Sequence, residues 1–196
     1  MKRILSFDIG IKNLAFCDFT YAHSSFVIHD WQSIDISIPD KKYDLNTLTP
    51  QLLSKLSSLF SCVDIFDHIV IENQPALVNP VMKSIQMIIF TFFHMKRGDN
   101  IGAIHLVSAC HKTKKLKTSW VFKDDHDVHN EWERLLEQKK PKYVFNKSMS
   151  IYLCRRILQN ETLFPSENAS FKTYFETHKK KDDLADSFLQ GLAFIL

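Results

Sequence analysis

Apolar positions along this chain fall into short runs and longer stripes. Ile4-Leu5-Ser6-Phe7 ends in Asp8, and His68-Ile69-Val70-Ile71 ends in Glu72. Runs this short, bounded by polar and turn residues, predict buried strands. The pattern predicts strands over residues 3–9, Leu14–Thr20, Ser25–Trp31, His68–Glu72 and Gly102–Val107, with Asp8–Asn13 turning between the first two. Thr49-Pro50 predicts a helix start, after which Leu52, Leu53, Leu56, Leu59 and Phe60 recur at helical spacing. Asn79-Pro80 predicts another, from about Val81 to Lys96 and stopping near Gly98. That helix is apolar nearly all round, so more than one side is buried. One face suits the sheet; the other suits a second copy of the chain or a later helix. Residues 110–146 lack clear periodicity and read as an irregular insertion with a short helix at Glu131–Gln138. Ser148–Leu158 reads as a basic amphipathic helix, 160–178 as irregular, and Asp182–Leu196 as a helix with Leu184, Phe188, Leu192 and Ile195 inward. The order of elements predicts one α/β domain over 1–196 with a mixed sheet.

Composition narrows the class. A chain of 196 residues with 45% apolar content supports a sizeable core, and sixteen Phe make it aromatic. No apolar run reaches the ~18 residues of a membrane span. Asp8 interrupts the start too early for a signal core, so the chain reads as intracellular. Cys17, Cys62, Cys110 and Cys154 form no Cys-x-x-Cys pair, which argues for reduced thiols over a zinc site. Net charge is +3, unevenly spread. Residues 1–100 hold nine basic and ten acidic groups; residues 101–196 hold sixteen and twelve. Lys139, Lys140, Lys142, Lys147, Arg155 and Arg156 follow one another without an acid, as do five lysines in 110–123. Such clusters suit a polyanion, or form solvated patches.

Four acids are the candidate chemistry. Strand alternation places Ile4, Ser6 and Asp8 on one face. Asp8 and Glu72 would both end strands at the C-terminal edge of the sheet, where open α/β sheets bind ligands. Asp183 and Asp186, three apart on the last helix, share a face. Docking that helix on the sheet brings all four together. Oxygen-only donors favour Mg²⁺ or Mn²⁺, and two such ions support phosphoryl transfer. Each acid taken alone also reads as a cap, turn former or surface charge, Asp182 and Asp183 especially.

Three segments carry a family resemblance: Ile4–Phe16 with its Asp-x-Gly, Ile69–Ala76 (Ile-Val-Ile-Glu-Asn-Gln-Pro-Ala) and Lys181–Leu189 (Lys-Asp-Asp-Leu-Ala-Asp-Ser-Phe-Leu). Their order and spacing resemble the RuvC-type Holliday junction resolvases of the RNase H-like superfamily, most closely the poxvirus branch. The resemblance implies a mixed five-stranded sheet flanked by helices. It implies a homodimer that cuts four-way DNA junctions by paired symmetric nicks, with two Mg²⁺ or Mn²⁺ ions per active site. For a viral protein it implies work in recombination and concatemer processing, in the host cytoplasm. Asp8, Glu72, Asp183 and Asp186 match the metal-binding acids, with Asp182 a competitor for Asp183. Lys114 or Lys115, and Lys147, stand near the positions of the family's lysines. Gln74 would touch substrate or hold Glu72, and Lys12, Arg155 and Arg156 would meet DNA. Trp120 or Phe122 would wedge at the crossover, or pack the insertion onto the domain.

Three rivals stand beside this. Asp8-Ile9-Gly10-Ile11-Lys12-Asn13 also resembles an actin or sugar-kinase phosphate loop, although such proteins need two domains around the nucleotide. A non-catalytic DNA-binding module is at odds with the intact set of acids. A monomeric RNase H-type nuclease is at odds with the all-round apolar helix. His126-Asp127-Val128-His129 looks like a metal site but reads as a solvated loop.

Overall fold

The computed structural model describes all residues except 23–24, 41–42, 98–102, 109–111 and 166–167. Five strands form one sheet: β1 (Lys2–Asp8), β2 (Leu14–Ala22), β3 (Ser25–Ile34), β4 (His68–Glu72) and β5 (Ala103–Val107). Their order is β3-β2-β1-β4-β5. The first three are antiparallel neighbours, and β4 and β5 join parallel to β1. This is the mixed five-stranded sheet expected, flanked by helices on both faces. The expected stop near Gly98, the strand start at Gly102 and Cys110 lie outside the described residues.

Alternation along β1 divides the core in two. Leu5 and Phe7 face α1 (Leu45–Leu59) and α2 (Pro80–Arg97), among Phe16, Phe60, Leu52, Ile89 and Phe93. Ile4 faces the other cluster, with Phe19, Trp31, Val70 and α7 (Lys181–Ile195). α1 begins earlier than Thr49-Pro50 because the Asp44 side chain accepts a hydrogen bond from Thr47 N at 3.0 Å. α2 opens as its sequence predicts, with Asn79 Oδ1 accepting from Met82 N at 3.1 Å.

Stretches read as irregular are largely helical. Residues 112–147 carry α3 (Lys112–Lys117), α4 (His126–Glu137) and the start of α5 (Lys142–Gln159), whose remainder is the helix expected at Ser148–Leu158, and α6 (Ala169–Thr177) follows. The short helix expected at Glu131–Gln138 is the end of a longer one, and His126 to His129 is its first turn rather than a loop. Asp125 caps α4 by accepting from Val128 N at 3.1 Å. Val128 and Leu135 then pack on the same core as Leu116, Leu153 and Phe175. Short helices are marginal in isolation, and here a shared core holds them.

α7 sits close against the sheet. A Cβ on Gly191 would lie 2.8 Å from Phe19 Cε1 and 2.9 Å from Ser6 Cβ, so only glycine permits that approach. Trp31 Nε1 donates to Leu184 O at 3.0 Å, and Gln190 Nε2 donates to Phe7 O at 2.9 Å. These bonds fix the rotation of α7 and hence where its acids face. Among the described residues, no helix is long and apolar enough to cross a membrane.

Candidate active site

Asp8 ends β1 and Glu72 ends β4, and the parallel register pairs Phe7 with Ile71 just before them. The two carboxyls therefore emerge side by side at the C-terminal edge of the sheet. Burial pushes the Asp8 carboxyl well above its ordinary range, and the charges of Glu72 and Asp186 add to the push. The Lys112 ammonium opposes it.

The first turns of α7 bring the other acids. Asp186 meets Lys112 Nζ at 2.6 Å, in a pair whose lysine is only 8% exposed. Asp183 stands next to it, its carboxyl raised by burial, then by the charges of Asp182 and Asp186. Asp182 differs. It forms an ion pair with Lys147 that outweighs its burial and holds its carboxyl below the usual range. The Lys147 ammonium loses stability to burial but gains more from Asp182 and Tyr143, so its affinity for a proton rises. Its Nζ lies 4.8 Å from the Tyr143 ring centroid. Proximity thus runs from Glu72 through Asp8 and Asp186 to Asp183, while Asp182 is engaged by Lys147.

The carboxyls meet as pairs, and among the described residues no group of three or more forms a ready metal cage. The donor set still fits a hard divalent cation: every donor is a carboxylate oxygen, and the acids gather against mutual repulsion. Lys112 supplies the positive charge that now offsets them. A cleft of about 170 Å³ opens here, lined by Glu72, Lys112, Tyr143, Asn146, Lys147 and Asp186, with Thr113.

Gln74 Nε2 donates to Glu72 Oε2 at 2.8 Å, so of its two expected roles the structure displays the grip on the glutamate. Gln86, fully buried on α2, accepts from Gln74 N at 2.8 Å and ties that loop to the helix. Neither Gln86 nor Lys112 was singled out by the sequence pattern. Lys112 has a signal: it stands four residues before buried Leu116, on the inward face of α3. Lys114 and Lys115, the expected lysines, point outward on that helix and are exposed, so Lys112 replaces them at the acids.

The remaining basic residues divide. Lys12 is exposed in the turn after β1. Arg155 is held by Glu176 at 2.7 Å, and Arg156 by Asp125 at 2.8 Å, which compensates both charges within the protein. Phe122 is 2% exposed in the core, so it cannot serve as a wedge. Trp120 is 43% exposed beside Asp124, Asp125, His126, Asp127 and Arg156, with Arg156 paired to Asp125 and Asp127.

A family model described as mitochondrial resolvase Ydc2 / RNA splicing MRS1 matches residues 4–78, the segment that carries Asp8, Glu72 and Gln74. Protein L451 of Acanthamoeba polyphaga mimivirus is 34% identical over 167 residues, covering 79% of this chain and 35% of its own length. The chain thus spans about a third of that relative. The yeast mitochondrial Holliday junction resolvase Ydc2 superposes with a TM-score of 0.60 at 16% identity, over 99% of this chain and 79% of its own. The fowlpox virus resolvase, solved with Holliday junction DNA, gives 0.58 at 18% identity, over 98% and 96%. With its strand order, its acids at the ends of β1 and β4 and its closing helix α7, the chain has the RuvC-like fold of these resolvases.

Proposed function

We propose that this protein is a structure-selective endonuclease that resolves four-way DNA junctions by paired, metal-dependent phosphodiester hydrolysis. One observation carries the reading: Asp8, Glu72 and Asp186 gather with a buried lysine at the C-terminal edge of a resolvase-type sheet, with Asp183 alongside. These four acids would hold Mg²⁺ or Mn²⁺, two ions per site, supplying Lewis-acid stabilisation and an activated water. Gln74 fixes the Glu72 carboxylate. Lys112, already among the acids, would offer its ammonium to the charge that develops on the phosphate. Lys147 and exposed Lys12, Lys114 and Lys115 would meet backbone phosphates, giving salt-sensitive affinity.

The whole of 1–196 would act as one catalytic domain within a homodimer. α1 and α2 leave an apolar groove of about 610 Å³ on the outer surface, with Leu53, Met87 and Met95 exposed along it. A second copy would cover this groove and set the two active sites at a fixed separation, as paired nicking requires. The fowlpox and mimivirus similarities favour a viral setting, in recombination and concatemer processing within the host cytoplasm.

The test incubates the protein with a synthetic four-way junction and Mg²⁺ or Mn²⁺, beside linear duplex and an RNA–DNA hybrid. Paired nicks in the junction are expected, lost in Asp8→Asn and Glu72→Gln with junction binding retained. Preferential cutting of the hybrid would instead assign an RNase H-type activity. Sedimentation tests the dimer: Met87→Glu is expected to yield monomers, and a monomeric wild type overturns that part of the reading.

A further inference from the structure

A second hollow, of about 490 Å³, lies between α3, α4 and α5 and shares Thr113 and Asn146 with the carboxylate cleft. Its walls are apolar, formed by Trp132, Leu135, Leu136 and Phe145. The Trp132 and Phe145 rings meet edge to face, centroids 5.0 Å apart at 84°, and so form a right-angled corner. Leu136 is 49% exposed there, and no later helix covers it among the described residues.

The rim is cationic. Lys114, Lys140 and Lys142 line the hollow, and none makes an ion pair among the described residues. Among the described residues, no carboxylate lines it. Lys117 Nζ lies 4.7 Å from the Trp132 ring centroid and is paired with Glu133 at 3.8 Å, so the rim's charge rests on Lys114, Lys140 and Lys142. The chain reversal after α4 sets this rim. Lys139 takes the left-handed backbone at φ 49°, and its N–H donates to Leu136 O at 3.0 Å. Lys140 and Lys142 follow directly at the mouth.

An aromatic corner ringed by unpaired ammonium groups matches a group that is planar and apolar but flanked by anions. A nucleobase out of its stack, between two phosphates, is such a group. A purely apolar ligand would leave the lysines unused. We propose that this hollow receives one unstacked nucleobase of the DNA strand whose phosphate enters the carboxylate cleft, an inference that rests on the nuclease reading above. It gives the enzyme a means of favouring particular bases beside the cut.

The test places 2-aminopurine at each nucleotide within three of the cut in a synthetic junction and follows its emission on binding without divalent metal. A change is expected at one or two positions, with wild type and with Asp8→Asn alike. Leu136→Glu places a carboxylate in the hollow at an exposed helical position, where folding is unaffected. It should abolish the emission change and weaken junction binding about tenfold. Trp132→Leu, checked for folding by circular dichroism, should do the same. Junction binding and cutting with flat emission at every position overturns the pocket and spares the nuclease. An emission change that survives both variants does likewise. Failure of the wild type to bind junctions at all overturns the nuclease reading and the pocket with it.

Discussion

On the face of the sheet covered by α1 and α2, Phe7, Phe16, Phe60 and Phe93 meet ring against ring, with centroids 5.1 to 5.9 Å apart. On the face covered by α7, alternate residues of the same strand, Ile4 and Ser6, lead to Asp8 and the other acids. One side is built around the ring cluster, with Gln86 and Arg97 of α2 among its buried polar side chains. The other carries buried polar side chains, among them Ser6, Lys112, Thr113, Ser187 and Gln190, and opens into the cleft. The period-two alternation of one strand thus assigns scaffold to one face and chemistry to the other. The link between them is narrow: Gln86 on α2 holds the loop of Gln74, which holds Glu72.

The largest effects should separate the faces cleanly. On the proposed reading, Asp8→Asn is expected to lower junction cleavage by roughly a thousandfold or more, because the proposed cation site would lose a ligand where charge develops. Its stability should hold or rise, since the variant removes one of several crowded acids. Phe93→Ala should do the reverse, costing about 3–5 kcal/mol of stability by leaving a cavity in the ring cluster. Cleavage per folded molecule should change little. Urea unfolding and single-turnover cleavage measure both. An Asp8→Asn variant that unfolds, or a Phe93→Ala variant that is folded but dead, would break the division.

A finer contrast lies within the chemical face. Lys112 is 8% exposed and joined to Asp186, whereas Lys147 is 27% exposed and joined to Asp182. Lys112→Met should cost about 3 kcal/mol, because it leaves buried acids without a counter-charge. Lys147→Met should cost about 1 kcal/mol or less, since water replaces much of the lost pairing. Millimolar Mg²⁺ should raise the melting temperature of Lys112→Met more than that of wild type, by restoring positive charge to the acids. Equal costs, or no response to Mg²⁺, would deny Lys112 its place at the centre of the acids.

This contrast also marks how far the sequence could be read. β1 to β4, α2 and α7 were legible, since each rests on a local pattern that burial follows, and β5 was legible although its residues are half-buried or exposed. α5 was legible from Ser148 onward, and α4 only at its end, while α3, the start of α4 and α6 were not. Val128, Trp132 and Leu135 have helical spacing, as do Phe171 and Phe175, but polar neighbours dilute the stripe. These helices exist because α5 and α7 offer them a shared core, which is a tertiary cause. Lys112 was hidden for a related reason. Among clustered lysines, only the inward face of α3, set by Leu116, distinguishes the one that meets Asp186. Asp182 and Asp183 were separated by the family spacing, and the structure adds a physical reason: Lys147 engages Asp182.

β4 carries a second titrating group at its opposite end. His68 Nδ1 lies 3.3 Å from His105 Nε2, and both rings pack on Phe194. Burial lowers the pKa of His68, and nearby Lys2 adds to the effect while Asp67 opposes it. Burial also lowers that of His105, with His68 adding to it. A base whose folded pKa lies below its unfolded value stabilises the fold fully above that unfolded value, about 6.5. The contribution is lost as pH falls through the window beneath it. Urea midpoints should therefore fall more between pH 7.5 and 5.5 in wild type than in His105→Leu. Cleavage chemistry at the far end of β4 should not follow the substitution. Parallel pH curves for the two proteins would remove the histidine pair from the account.

The smallest effect tests the reversal that separates α4 from α5. Lys139 adopts φ 49°, a region in which a Cβ crowds the backbone and glycine does not. Lys139→Gly relieves that crowding but loosens the unfolded chain, so the net gain should be about 0.5 kcal/mol. On the scaffold face no such gain is available, because the ring cluster is already closed. If Lys139→Gly stabilises the fold and leaves 2-aminopurine emission intact, the left-handed turn alone shapes the rim. If it stabilises the fold but weakens junction binding, the Lys139 ammonium itself belongs to the DNA-facing surface, and the chemical face extends one residue further than its hollow.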